Sequence, residues 1–295
     1  MLLAYRPSSE EDAVRLVRVG EAGSERPCVM REDGTTVDVS SVVADYDGAF
    51  FADGGVERLR GALDSLDLPS VDLSAERIGP CIARPPEVVC IGLNYVDHAR
   101  ESGQAVPAEP VVFSKASNTV VGPYDEVRIP RGSEKTDWEV ELGVVIGREA
   151  RYLQDEAAAR EVIAGYAISH DVSERAYQLE RGGQWVKGKS CETFNPLGPW
   201  LVTADEVADP QALALSLTLN GETVQQGSTA DMIFSVSHVV WYLSQFLVLE
   251  PGDLVNTGTP AGVGMARGRY LRDGDVTSLE ITGLGRQQQR FVPAP

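Results

Sequence analysis

The chain has 295 residues, 43% hydrophobic and 24% charged, the profile of an ordinary globular protein with room for one large domain or a large domain plus a small one. Acidic residues outnumber basic ones 44 to 26, and the formal charge of −18 argues against nucleic acid or an anionic membrane surface as partner, because both need positive charge. No stretch approaches the roughly 18 apolar residues of a membrane span. The opening MLLAYRPSSEEDAVRL is broken by Arg6, Glu10 and Glu11 and does not read as a signal peptide. Cys28, Cys81, Cys90 and Cys191 show no CxxC spacing and read as reduced, mostly buried thiols of a cytoplasmic protein.

Along the first 80 residues the expected elements are short. RLVRVG, RPCVM and TTVDVS read as strands separated by the turn-prone EAGSE and REDGT. GVERLRGALDSLD then sets Val56, Leu59, Leu63 and Leu66 at helical spacing. Pro85 and Pro86 halt what precedes, and an apolar strand follows in EVVCIGL. A small N-terminal domain, residues 1–80, and a larger β-rich domain, residues 81–295, are expected on either side. In the second part, strands are expected at PVVFSK, EVRIP, EVELGVVIG, LTLNGETV, DLVNTGT and SLEITGLGR. Helices are expected at YVDHARESG, LQDEAAAREVI, SERAYQLERG and ADMIFSVSHVVWYLSQFL. LNGE between apolar runs reads as a hairpin turn. Few strands alternate with helices, so an α+β, mostly β fold with a mixed or antiparallel core and peripheral helices is expected, not a doubly wound sheet.

Within TDWEVELGVVIG, Glu139 and Glu141 share a face, because strand residues i and i+2 point the same way. Two readings fit. The pair is the wet face of a half-exposed strand, or it is buried beside the GVVIG run and needs a neutralising cation. Mg²⁺ would suit, since it takes six oxygen ligands and keeps waters or substrate oxygens among them. Asp171, in AISHDVSERAYQ, follows the strand-like GYAIS and precedes a helix opening at Ser173. It reads as a third ligand or as a helix-entry residue. His170 points the other way on an extended chain, so the two are not expected to share a metal.

His238 lies among apolar residues at helical spacing and reads as a core or helix-face residue, and His170 as structural. His98, in GLNYVDHARESG, has Glu101 three residues on, along the same helical face. The two form either a solvated surface pair or a general base whose carboxylate orients the imidazole. RGGQWVKGKSCETF carries Lys187 and Lys189 in a glycine-rich loop, as solvated cations or as an anion site. NTGTPAGVG offers amides and the hydroxyls of Thr257 and Thr259, but it lacks the GKS/T ending of a P-loop, so nucleotide binding is not expected.

From about Pro86 to Arg290, and in order, IGLNYVDHARESG, FSKASNTVVGP, DWEVELGVVIG, HDVSERAYQ, GKSCETFNPLGPW, LNGETVQQGSTADMIFSV and LEPGDLVNTGTPAGVG together resemble the fumarylacetoacetate hydrolase family. The resemblance implies a mixed β-roll (a sandwich-like catalytic domain), a small N-terminal α/β domain before it, and a homodimer. It implies Mg²⁺, in some members Mn²⁺ or Ca²⁺, held at the positions of Glu139, Glu141 and Asp171. The family's H-x-x-E dyad falls on His98 and Glu101, its catalytic lysine on Lys189, and its substrate contacts on Arg175, Gln178 and Thr259, with Asn94 and Tyr95 beside the dyad as further candidates. His170 departs from the pattern, since many relatives have Asn there. The implied reaction is hydrolysis of a C–C bond in a 2,4-dioxo acid, of acylpyruvate or 2,4-diketo-3-deoxy sugar acid type, yielding pyruvate and a carboxylic acid. Alternatives within the same chemistry are decarboxylation of an oxaloacetate-type acid and isomerisation or hydration of a 2-hydroxyhepta-2,4-diene-1,7-dioate. A non-enzymatic alternative is an inactive fold relative acting as a binding module.

Overall fold

Short runs of Val, Ile and Leu bounded by Gly and Pro produce seventeen strands and eight α-helices among residues 14–31 and 33–295, the part of the chain that the computed structural model describes. The opening segment read above as no signal peptide lies almost wholly outside the described residues. In chain order the strands are β1 (Arg15–Val19), β2 (Arg26–Met30), β3 (Thr36–Asp38), β4 (Val88–Gly92), β5 (Val111–Lys115), β6 (Val120–Val121), β7 (Val127–Ile129), β8 (Thr136–Asp137) and β9 (Val140–Ile146). They continue with β10 (Ile163–His170), β11 (Ser173–Glu174), β12 (Asn195–Thr203), β13 (Ala214–Leu219), β14 (Glu222–Ser228), β15 (Leu254–Asn256), β16 (Val276–Ile281) and β17 (Gly285–Pro293). The helices are α1 (Gly48–Ala52), α2 (Gly55–Ser65), α3 (Val96–Glu101), α4 (Glu156–Arg160), α5 (Arg175–Leu179), α6 (Val186–Lys189), α7 (Val236–Leu243) and α8 (Gly264–Arg267).

The largest sheet has the order β3-β2-β1-β12-β10-β9-β15-β4-β5, with β6 alongside β12. A second sheet runs β14-β13-β16-β17-β7, and β8 pairs with β11 alone. Most ladders are antiparallel, while β15–β4, β17–β7 and β12–β6 are parallel. The fold is therefore α+β and mostly β, with mixed sheets and peripheral helices, as expected from the pattern.

β9 lies between β10 and β15 and is buried along its whole length. Its even positions, Val140, Leu142, Val144 and Ile146, join one apolar cluster with Val239 and Leu243 of α7 and Leu217, Leu279 and Phe291 of the second sheet. On the odd face, Val145 packs into another cluster with Leu16, Leu59 and Leu201, while Glu141 occupies the other end of that face. Full burial of such side chains contributes about 1.5–3 kcal/mol each, which holds the strand as a rigid support for whatever projects from it. The N-terminal strands extend the same sheet, with Leu16 opposite Leu201 in the β1–β12 ladder.

The Asn220–Gly221 turn has positive φ at both residues, 51° and 84°, and closes the expected β13–β14 hairpin. Two helices differ from their sequence expectation. The run ADMIFSVSHVVWYLSQFL is α-helical only over Val236–Leu243, because Ser235 caps the helix by accepting the His238 N–H. Upstream, Thr229–Asp231 form a 3-10 turn and Phe234 exchanges hydrogen bonds with the Asn94 side chain, which ties that bend to another segment. The helix expected to open at Ser173 starts at Arg175, because Ser173 and Glu174 are taken into a ladder with β8. α6 also forms one helical turn inside what reads as a glycine-rich loop. All four cysteines are free, three of them buried. Among the described residues, no helix is long and apolar enough to cross a membrane.

Candidate active site

The β9–β10 ladder sets the central cluster. His170 stands opposite Val140 and Ser169 opposite Glu141, and beyond the ladder the Asp171 N–H donates to the Glu139 carbonyl at 3.0 Å. Glu139, Glu141 and Asp171 are all buried, and each offers one carboxylate oxygen such that the three lie within 4.8 Å of one another. The two readings left open by the sequence thus resolve in favour of burial: no wet acidic edge exists here.

Three buried cations surround the acids. Lys189 Nζ donates to Glu139 Oε2 and Asp171 Oδ2, both at 2.7 Å. Arg175 reaches Glu139 Oε1 at 2.6 Å through Nη2 and Asp137 Oδ2 at 2.8 Å through Nε. Lys115, at the end of β5, pairs with Asp171 Oδ1 and donates to the carbonyls of Val172 and Phe194 at 3.1 and 2.8 Å. Burial works against ionised Glu139, yet Lys189 and Arg175 hold its carboxyl well below the usual range. Burial likewise opposes a charged Lys189, and Asp171 and Glu139 raise it all the same.

Glu141 is different. Its hydrogen-bond partner is the Gly258 amide at 2.8 Å, and among the described residues no lysine or arginine is bonded to it. Burial, then the charges of Asp171 and Glu139, push its carboxyl well above the ordinary value. A buried carboxylate lacking a counter-ion, next to two others, is the charge pattern of a cation site. An all-oxygen, three-carboxylate donor set suits a hard divalent cation such as Mg²⁺ or Mn²⁺.

Beside the cluster, His98 on α3 bonds through Nδ1 to Glu101 Oε1 at 2.9 Å. Both Glu101 oxygens accept the Gly262 N–H at 2.9 Å. Gly262 has φ +109°, and a Cβ there would stand 2.0 Å from the Val224 carbonyl, so only glycine brings this amide to Glu101. The NTGTPAGVG loop therefore directs the Gly258, Gly262 and Gly264 amides to Glu141, Glu101 and Asp137.

A cavity of about 320 Å³ opens over these groups. Of the residues singled out in the sequence, His98, Glu139, Glu141, Arg175, Gln178, Lys189 and Thr259 line it. Gln178 accepts from Arg175 Nη1 at 3.0 Å through its carbonyl, which leaves its NH₂ for other partners. Thr259 Oγ1 donates to the Val140 carbonyl at 2.9 Å and accepts from Gln225 Nε2 at 2.8 Å. Glu101 and Asp171 stand behind the lining. So do Asn94 and Tyr95, which the structure does not bring to the cavity wall. Asn94 Nδ2 ties the Phe234 and Thr257 carbonyls, at 3.0 and 2.8 Å. Tyr95 is buried and forms a bridge with Met232.

His170 faces away from the cluster, with Nδ1 2.9 Å from Gln289 Oε1 and its ring edge-on to Phe291. Burial pushes it down to about 4, so it is neutral. His238 packs on the Phe234 ring and bonds to Glu156 at 3.0 Å. Sequence reasoning noted that Asp137 shares the parity of the glutamates but left it unassigned, and it missed Lys115. Asp137, on the same strand parity as Glu139 and Glu141, accepts from Arg175, Gly264 N–H (2.6 Å) and Met265 N–H (2.9 Å) and so seats the arginine. Lys115 is the buried end of β5, VVFSK, and a fully buried lysine signals that an acid waits opposite.

Residues 87–292 match the family model described as fumarylacetoacetate (FAA) hydrolase C-terminal. The chain belongs to the fumarylacetoacetate hydrolase family. A relative from Burkholderia multivorans is 50% identical over 94% of this chain and 98% of its own length, and its name goes no further than a provisional hydrolase. Among solved structures, the fumarylacetoacetate hydrolase of Exiguobacterium antarcticum is 33% identical, with TM-score 0.81 over 95% of this chain and 100% of that one. The 2-hydroxyhepta-2,4-diene-1,7-dioate isomerase of Mycobacterium marinum is 32% identical, with TM-score 0.76 over 95% and 98%. Maleylpyruvate hydrolase from Sphingobium sp. SYK-6, solved with manganese(II) and pyruvate, is 26% identical, with TM-score 0.78 over 95% and 100%. The family thus holds hydrolases and isomerases of small molecules, on a fold shared along nearly the whole chain.

Proposed function

We propose that the protein is a divalent-cation-dependent hydrolase that cleaves the C3–C4 bond of a 2,4-dioxo acid, releasing pyruvate and a carboxylic acid. The reading rests on one observation: a carboxylate-bound imidazole, His98, lines the same cavity as the buried Glu139–Glu141 pair and Lys189. Manganese(II) and pyruvate in the maleylpyruvate hydrolase relative support the choice of metal class and product. The reading includes a homodimeric, cytoplasmic enzyme with residues 81–295 as catalytic domain and 1–80 as a small N-terminal domain.

In this proposal Glu139, Glu141 and Asp171 hold the cation, with Mg²⁺ the first choice and Mn²⁺ or Ca²⁺ the alternatives. When bound, that cation supplies positive charge for the 2-oxo acid head and for the enolate that develops from it. Arg175 and the free NH₂ of Gln178 orient the substrate's 1-carboxylate, and Thr259 joins them once its hydroxyl turns from the Val140 carbonyl. His98 Nε2 takes a proton from water, whose oxygen adds to the C4 carbonyl. Glu101 holds the Nδ1 proton and balances the imidazolium so formed. Collapse of the adduct breaks C3–C4; the electron pair stays with C3 as pyruvate enolate, and Lys189 donates to its oxygen. The proton on His98 then passes to C3, and the carboxylic acid departs.

The test is pyruvate release from acetylpyruvate and related acids, followed by coupled NADH oxidation, after EDTA treatment and after Mg²⁺ or Mn²⁺ is restored. No release from any 2,4-dioxo acid with metal restored would overturn the reaction, and full activity after EDTA would overturn the role of the cation. Likeness to the M. marinum isomerase favours a second reading, isomerisation at the same site, with decarboxylation a further alternative. His98→Ala separates them: it abolishes hydrolysis, which needs activated water, and spares decarboxylation.

A further inference from the structure

We infer that the substrate's tail, the part beyond its 2-oxo acid head, carries no charge. The inference rests on the functional reading above and adds the class of substrate within it. From the acid cluster, one wall of the cavity runs outward through aromatic rings. Lys189 Nζ lies 5.0 Å from the centre of the Phe113 ring, and the Trp185 ring packs edge-on against Phe113 at 5.2 Å. Trp185 can lie there because Gly92 has no side chain: a Cβ on Gly92 would come within 2.6 Å of the indole. Leu179 and Met265 continue the apolar lining.

Among the described residues, the only cations lining the cavity are Arg175 and Lys189. Both are committed at the head end, to Asp137, Glu139 and Asp171. The polar groups toward the tail are neutral. Ser102 Oγ is buried without a hydrogen-bond partner among the described residues, and Gln104 is exposed at the rim. A second carboxylate on the substrate would lose water against Phe113 and Trp185 and find no counter-ion, in a chain that already carries −18. A neutral tail loses nothing there, and Ser102 gains a partner if the tail offers a hydroxyl or carbonyl. The dienedioate named for the M. marinum relative carries the second carboxylate that this wall disfavours.

Calorimetric titration of the Mg²⁺-loaded protein with 2-oxohexanoate and 2-oxoadipate tests this, since the two differ only in a methyl or a carboxylate at the end of the same chain. 2-Oxohexanoate should bind at least about tenfold more tightly, the scale of an unpaired charge in an apolar site. Equal affinity, or tighter 2-oxoadipate, would overturn the inference while leaving the hydrolase reading to the acetylpyruvate assay. Binding of neither acid would overturn the inference, and the acetylpyruvate assay would again decide the hydrolase reading. Trp185→Arg, which sets a cation on the wall, should shrink or reverse the ratio. An unchanged ratio in that variant would remove Trp185 from tail recognition.

Discussion

Glu101→Gln tests the dyad with little change of shape. Both the His98 and the Gly262 hydrogen bonds reach Glu101 Oε1 at 2.9 Å, so a glutamine carbonyl placed there can keep those two contacts while losing the charge and the second branch of the Gly262 bond at Oε2. A hydrogen bond to a charged group contributes about 1.5–3 kcal/mol and a neutral one about 0.5–1.5, leaving roughly 1–2 kcal/mol for the charge itself. At 1.36 kcal/mol per decade this is about a 5- to 30-fold loss of kcat/KM. The Glu101 side chain is 21% exposed, which favours the lower half of that range. Glu101 stands behind His98 and does not line the cavity, so the loss should fall on kcat while KM stays near wild type. Glu101→Ala strands both donors and should cost more, about 100-fold. The assay is steady-state pyruvate release at saturating Mg²⁺. Wild-type kcat in Glu101→Gln, or a loss carried wholly by KM, would refute the assignment of Glu101 as the residue that positions His98.

Mg²⁺ or Mn²⁺ should raise the thermal midpoint, by the equivalent of about 2.7 kcal/mol at a hundred times its Kd. Glu141→Gln should remove that shift while leaving the metal-free protein at least as stable as wild type, because Glu141 has no bonded cation to lose; a metal-dependent midpoint in this variant would contradict the donor set. Lys115→Met leaves Asp171 short of one of its two buried partners and should cost about 3–5 kcal/mol in urea unfolding of the metal-free protein. A change below 1 kcal/mol (roughly) would mean that the pair is not buried as described. Gly262→Ala meets both a left-handed φ and the Val224 carbonyl, and should lose about 1–3 kcal/mol together with kcat as the Glu101 anchor shifts. Wild-type turnover in that variant would show that Glu101 does not depend on the amide.

Much of this molecule is legible along the chain because its cause is local. Strand alternation in TDWEVELGVVIG places two carboxylates on one face, helical spacing joins His98 to Glu101, and LNGE closes its hairpin through the two positive φ angles that Asn and Gly tolerate. The ordered motifs supply the family, and with it the mixed β fold. Helix limits were less legible: Ser173 and Glu174 pair with β8, and Asn94 ties down Phe234 ahead of α7, through partners 38 and 140 positions away.

What only the tertiary structure decides is the charge balance. Whether Glu139 and Glu141 face water or the interior depends on β10, β15 and the Gly258 loop closing over them, and local sequence carries no record of that burial. The neutralisation of Asp171 by Lys115 joins residues 56 positions apart, and the wall of Phe113 and Trp185 depends on a glycine in a third segment. Pairwise electrostatics and packing act through space at a few ångströms, whereas the periodicities read along a chain act through neighbours in sequence. The sequence therefore names the acids, and the fold alone leaves Glu141 buried with no cation bonded to it among the described residues.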